Sequence, residues 1–448
     1  MDHLKTLAER AIHVALEKGS TMVDLMIRED DTFSLAVRKG DVETLKEALS
    51  RALSLRVFVG KRTATSHTSD LSESSMDRII EQTVEMARLT SEDDSAGLPE
   101  KGVFADRVPD LDLFDEAWGS LDTAGRIEMA RTTEAVALAC DPLLTNSGGA
   151  FFDQTEARTV IANSEGFTGA YRTTSAAFGV APIAESADGR HRDRWMSVSR
   201  HREDLEDPQT VGRKAAERTL RRVGARKHAT CEVPVVFDPL TARSLIGQVF
   251  RAVSGDSIYR QASFLVGRLG EAIAAPEVSI VDDALMPRGL GSSPFDDEGV
   301  SGHTLPIVED GVLKRYLHTA YTARKLGGAP TGNGSRAISG VITTGPNNFY
   351  LQPGSYTPHE IIESVDSGLY VVELIGSGVN PVTGDYSRGA VGMWIENGRL
   401  AYPVHEVTIA GNLKGMLRDI QMIGNDLTFL GSVASPTLKL GNMVVSGE

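Results

Sequence analysis

Apolar residues recur at helical spacing from the start of the chain, at Leu4, Leu7, Ala8, Ala11 and Ala15, and Gly19 is placed to end the helix. Runs that favour strands follow at 22–27, 32–37 and 53–58, with Lys39-Gly40-Asp41 as a turn after the second. Helical spacing returns over 75–89, where Met76, Ile79, Ile80, Thr83 and Ala87 share a face. Segment 91–102 is acidic and broken by Gly and Pro, and reads as a linker. A helix is predicted over 120–139, then strands over 151–183 joined at Ser164-Glu165-Gly166. A helix at 209–223 carries Arg213, Lys214, Arg218, Arg221 and Arg222, read as a solvated face.

From Val233 the pattern shifts to strands, glycines and tight turns. Asp310-Gly311 and Asn397-Gly398 each separate two strand-like runs, and both pairs tolerate the positive φ of a type I′ hairpin. Helices are few there: 240–254, 358–366 and 411–422. The predicted class is α+β, with N-terminal α/β units followed by a strand-rich, mostly antiparallel C-terminal domain. The predicted domains are 1–102, 103–228 and 229–448.

Charge narrows the function classes. Forty-six Lys and Arg stand against 61 Asp and Glu, a net charge of −15, so phosphate backbones are repelled and no nucleic-acid partner is expected. No run approaches the roughly 18 apolar residues of a membrane helix, and Met1 leads into a charged amphipathic stretch without the features of a leader. Cys140 and Cys231 both lie in apolar-patterned segments and cannot build a disulfide framework, so a cytoplasmic setting is expected, with Cys231 as buried filler.

The usual catalytic signatures are missing. No Gly-x-Ser-x-Gly elbow occurs, and GGAPTGNGS (327–335) lacks the lysine of a phosphate loop and reads as a loop with several positive-φ positions. No two of the ten histidines are four apart, as the common zinc-peptidase helix requires. Asp296, Asp297 and Glu298 read as a turn whose carboxylates cap N–H groups or pair with arginines. The helix at 240–254 has Asp238 as N-cap, Pro239 as its first residue and Gly255 as its stop. Ala242, Leu245, Ile246, Val249, Phe250 and Val253 give it a continuous apolar stripe, which by itself is a core face.

Several segments together resemble the TldD/PmbA family. They are SLIGQVFRAVSGDSIYR (244–260), FLVGRLGEAIAAPEVSIVDD (264–283), FDDEGV (295–300), LPIVEDGVLKRYL (305–317), PTGNGSR (330–336), the stretch from Gly384 to Leu413, GNDL (424–427) and VFVGKRTATSHTSDLS (57–72). The resemblance implies a two-subunit cytoplasmic metallopeptidase of bacteria or archaea. One paralogue, TldD, carries a His-Glu-x-x-x-His zinc helix, and the other, PmbA or TldE, lacks it. The two histidines would fall on Ile246 and Arg251 and the glutamate on Gly247, none of which can ligate zinc or take a proton from water. Residues five apart on an ideal helix sit about 140° apart, so the intact motif needs a local distortion that this stripe does not call for. A cysteine ligand that the catalytic paralogue carries after GNDL is also missing from 424–440.

Within the family, then, the chain resembles the PmbA (TldE) type. The resemblance implies no catalytic or metal residues and no cofactor in this chain, with zinc in a TldD-like catalytic partner and flexible peptides as substrates. Homodimerisation without the partner stays open. Tyr386, Arg388 and Asn412 are peptide-contact candidates because they lie in the densest motif. Two alternatives stand beside this reading. One is a self-sufficient hydrolase using Asp296, Asp297 and Glu298 with His303, or Ser387 beside Arg388. The other is a regulator linked to DNA gyrase.

Overall fold

The computed structural model describes residues 1–447. Its first half is built on one antiparallel sheet. Helix α1 (Asp2–Glu17) leads into strands β1 (Met22–Arg38), β2 (Asp41–Val59) and β3 (Arg62–Thr68), then helix α2 (Glu73–Leu89). After helix α3 (Thr123–Ala139) come β4 (Asn146–Asn163), β5 (Thr168–Ser186), β6 (Gly189–Arg192) and β7 (Trp195–Ser199), then helix α4 (Pro208–Leu220). The strand order is β3-β2-β1-β4-β5-β6, with β7 also on β5. Strands from both sides of residue 102 therefore share a sheet, because β1 pairs β4 from Asp24 to Val37.

Side-chain alternation explains the layering. Val23, Leu25 and Ile27 of β1 pack beneath α1 and α2, and Phe33, Leu35 and Val37 farther along the same face join the cluster that α3 and α4 cover. β1 and β2 run to 17 and 19 residues, far longer than the runs predicted. The reason is that Asp41–Arg51 stands exposed, so that half of the hairpin carries no core pattern to read. Segment 91–102 is not a loose tether. Ala96 and Leu98 are buried, Arg324 donates to the carbonyls of Ser95 (3.1 Å) and Gly97 (3.0 Å), and Asp93 meets both Tyr321 (2.8 Å) and Lys325 (2.8 Å).

The second half starts with β8 (Cys231–Phe237), helix α5 (Pro239–Val253) and the short helix α6 (Gly255–Tyr259). Strands β9 (Ile280–Asp283), β10 (Thr304–Glu309) and β11 (Val312–Leu313) precede helix α7 (Ala320–Leu326), then β12 (Gly334–Arg336), β13 (Ile342–Thr344) and β14 (Asn348–Leu351). Helix α8 (Pro358–Glu363), strands β15 (Ser367–Ile375), β16 (Asp385–Glu396) and β17 (Arg399–Asn412), helix α9 (Leu413–Arg418), and strands β18 (Ile420–Ile423), β19 (Val433–Ala434) and β20 (Leu438–Ser446) complete it. The large sheet runs β17-β16-β15-β8-β20-β18, and β17 also pairs β20, which closes five strands into a ring. A closed ring leaves no open edge along its paired length.

The α+β class and the mostly antiparallel C-terminal half agree with the sequence expectation; β15 with β8 and β14 with β19 are the parallel exceptions. Asp310, Gly311, Asn397 and Gly398 all take positive φ at their hairpins. Two expectations need correction. Cys140 is exposed just past α3, because its segment's stripe ends before it. Gly255 does not end α5 as a left-handed cap: Ser254 does so in extended conformation, and Gly255 opens α6 where an added Cβ would lie 2.5 Å from Thr322 Oγ1 and 2.8 Å from the Leu317 carbonyl.

Candidate functional site

Helix α5 forms because Asp238 and Pro239 start it as expected. Asp238 Oδ1 accepts from the Thr241 N–H at 2.9 Å. The apolar stripe buries Leu245, Ile246, Val249 and Val253 between the ring of strands and the β14–β19 sheet. The opposite face carries Arg243, Ser244, Gly247 and Arg251, at a spacing that brings them to one side. Nothing lies within 4 Å of a Cβ built on Gly247, and Arg251 is exposed, whereas Ile246 is fully buried. The helix is regularly α throughout, so positions 246 and 251 diverge.

Strands β15 and β16 bring the second part. Arg388 Nη1 donates to Ser244 Oγ at 2.7 Å and Nη2 reaches the Leu374 carbonyl at 3.4 Å, while its Nε has no partner. Tyr386 lies on the same strand face, its hydroxyl buried and unpartnered. Burial pushes that phenol up to about 12, against the pull of the Arg388 guanidinium. Asn412 is committed elsewhere: its amide donates to the Thr383 carbonyl (3.1 Å) and to Asp385 (2.9 Å), and its oxygen caps α9 at the Lys414 N–H (3.1 Å). β8 pairs β15 only over Leu369–Val371, so Val372–Ile375 has a strand neighbour on one side alone. That open edge and α5 border a cavity of about 590 Å³ lined by Leu240, Ser244, Leu374 and Arg388.

The residues of the hydrolase alternative are not brought together. Asp296 Oδ1 accepts from the Glu298 and Val300 N–H groups (both 2.9 Å), and its Oδ2 from the Gly334 N–H (2.7 Å). Asp297 accepts from the Arg336 N–H (2.8 Å), and Glu298 takes Arg56 (2.9 Å) and the Ala320 N–H (2.7 Å). These carboxylates hold the fold, as the turn reading expected. His303 is exposed, and among the described residues no hydrogen bond or ion pair joins it to them. Ser387 and Arg388 are neighbours in a strand and point to opposite faces, one exposed and one half-buried.

Within the glycine-rich 327–335 stretch, Gly327 and Gly332 take positive φ. The stretch supplies Asn333, which with Asn347 surrounds Asp282 of β9. Asp282 accepts from Asn333 Nδ2 (2.7 Å), Asn347 Nδ2 (2.9 Å) and the Asn347 N–H (2.9 Å), yet burial pushes its carboxyl up to about 6. The folded chain holds this proton more tightly than the unfolded chain does. Its contribution to stability is therefore complete below about pH 4 and declines as pH rises through about 6. Urea denaturation from pH 4 to 8 is expected to show the native protein losing about 3 kcal/mol relative to Asp282→Asn over that window. A difference that stays flat with pH would contradict it.

Three family models match the chain in order: PmbA/TldA metallopeptidase domain 1 over 23–87, the central domain over 116–223 and the C-terminal domain over 230–447. The chain belongs to the PmbA/TldA metallopeptidase family. It is 35% identical to the metalloprotease PmbA of Escherichia coli O157:H7 over 447 residues, covering 99% of this chain and 97% of that one. A PmbA homologue of Haemophilus influenzae is 33% identical over 448 residues, covering 99% and 96%. A Bacteroides thetaiotaomicron crystal structure, named as a candidate modulator of DNA gyrase, superposes with a TM-score of 0.93 at 27% identity over the whole of both chains. The TldE structure of Thermococcus kodakarensis shares the fold, with a TM-score of 0.89 at 22% identity over 98% of this chain and all of that one.

Metallopeptidase relatives place PmbA/TldA proteins in proteolysis. Zinc does not fit the residues that α5 offers in this member. Ile246 has no donor atom, Gly247 has no carboxylate and Arg251 is a cation. Among the described residues no three His, Cys, Asp or Glu side chains gather to hold a metal. Nor is any helix long and apolar enough to cross a membrane.

Arg388, singled out by its motif, lines the cavity beside α5, as do Arg243, Ser244 and Leu374, which the sequence motifs did not single out. The polar spacing opposite the stripe of α5 was the available signal for Arg243 and Ser244.

Proposed function

We propose that this chain is the non-catalytic subunit of a heteromeric TldD-type zinc metallopeptidase acting on unfolded or flexible peptides. One observation carries the reading: α5 is a regular core helix whose positions 246, 247 and 251 hold a buried isoleucine, a glycine and an exposed arginine. The TldD-like partner supplies the zinc, and this chain supplies part of the wall that holds the peptide. The open edge of β15 suits an extended peptide, which gains main-chain hydrogen bonds there, with Arg388 and Tyr386 beside it.

The test is purification alone and with a co-expressed TldD-like subunit, followed by zinc analysis and a peptidase assay on a flexible peptide. The chain alone is expected to hold close to no zinc and to cleave nothing, whereas the co-purified pair is expected to hold zinc and to cleave the peptide. Stoichiometric zinc in the chain alone, or failure of the two chains to associate, would overturn the proposal. The same preparation, run by size-exclusion chromatography without the partner, reads whether the chain forms a homodimer.

A further inference from the structure

The cavity beside α5 has a charge opposite to that of the chain. Although the protein carries −15 overall, Arg192, Arg194, Arg218, Arg222, Arg243 and Arg388 line this space, against Asp193 and Glu373. Two of the six are paired. Arg218 meets Asp238 (3.1 Å) and Asp193 (3.4 Å), and Arg222 meets Glu373 and Asp193. That corrects the solvated-face reading of α4, which holds for Arg213 and Lys214 but not for residues that lie against the C-terminal half. Among the described residues, Arg192, Arg194, Arg243 and Arg388 have no carboxylate partner. Burial lowers the Arg243 pKa and the neighbouring Arg194 charge lowers it further, against the opposing pull of Asp238, so Arg194 and Arg243 sit close enough to repel one another.

Guanidiniums held near one another across a cleft cost Coulomb energy that an incoming anion reverses, and their forked geometry suits carboxylates bidentately. Between them the lining mixes Leu240, Met196, Leu374 and Leu430 with Thr241 and Ser244, and it includes the open edge of β15. A bare inorganic anion would leave those surfaces unused, whereas an extended chain carrying carboxylates would cover both. We propose that this cleft binds an acidic peptide segment, its carboxylates held by Arg192, Arg194, Arg243 and Arg388 and its backbone lying along β15. This rests on the peptide-holding role above and adds a substrate preference to it.

The experiment is fluorescence anisotropy on the full chain, alone and with its co-purified partner. The probes are a labelled flexible decapeptide rich in Glu and Asp and its Gln/Asn isostere, with inorganic phosphate as competitor. The acidic peptide is expected to bind about tenfold or more tightly than the isostere, with the advantage shrinking at high salt. Arg243→Gln/Arg388→Gln should abolish the difference. So should Arg192→Gln/Arg194→Gln, a pair of exposed residues at the end of β6 and just after it whose loss leaves the core intact. Equal binding of both peptides, unmoved by either pair of substitutions, would overturn the acidic preference while leaving the peptide role in place. Binding of neither peptide would remove the peptide role and the cleft's preference with it. Phosphate binding that depends on these arginines, without discrimination between the peptides, would also overturn it.

Discussion

Replacing Arg56 with methionine is expected to lower the unfolding free energy by about 3–5 kcal/mol, because it strands a buried carboxylate. Arg56 Nε donates to Asp24 at 3.1 Å and Nη2 to Glu298 at 2.9 Å, across the boundary between the N-terminal sheet and the C-terminal half. The Glu298 side chain is wholly buried, and its remaining partner is the Ala320 N–H. Asp24 keeps Arg336 at 3.0 Å, so Glu298 carries most of the loss. Burial opposes ionisation of Asp24, but Arg336 and Arg56 outweigh it and hold its carboxyl below the usual range. That part of the stability is present above about pH 4 and is lost as pH falls through the lowered pKa. Urea denaturation at pH 7 measures the change, and adding Glu298→Leu to Arg56→Met should recover part of it. A loss under about 1 kcal/mol would mean that water reaches Glu298 when Arg56 is gone.

The triple substitution Ile246→His/Gly247→Glu/Arg251→His writes the metal motif into α5, yet zinc content is expected to remain close to zero. A regular helix separates positions 246 and 251 by about 140°, so one imidazole would point into the core and the other into solvent. The polar ring at 246 would replace a fully buried isoleucine, and about 3 kcal/mol of stability should go with it. Gly247→Glu alone should cost nothing and gain a few tenths of a kcal/mol up to about 1 kcal/mol from helix propensity, since open space lies where its Cβ would be. Elemental analysis after zinc exposure and dialysis, with a parallel denaturation curve, reads both effects. One zinc per chain would show that α5 distorts readily, and that the motif alone decides whether the helix holds metal.

Local pattern carried the elements whose burial is one-sided. α5 was legible from its N-cap, its proline and its stripe, and the three hairpin turns from residue pairs that accept positive φ. That Ile246, Gly247 and Arg251 offer no zinc ligand was legible because it is a matter of residue identity on one helix. Elements that protrude were not: β2 extends over eleven exposed residues that show no apolar alternation. Nor could spacing show that β1 and β4 adjoin, since pairing across more than a hundred residues leaves no local trace.

The sequence by itself therefore determined the class, the family resemblance and the absence of zinc-binding chemistry on α5, because each depends on side-chain identity or on periods of a few residues. Only the tertiary structure decided where charge collects. Arg192 ends β6, Arg194 comes from the turn between β6 and β7, Arg243 from α5 and Arg388 from β16, and on paper each belongs to a chain with excess negative charge. Folding brings them to one cleft because β8 ends at Phe237, the helix capped by Asp238 turns away, and the edge of β15 is left open beneath them.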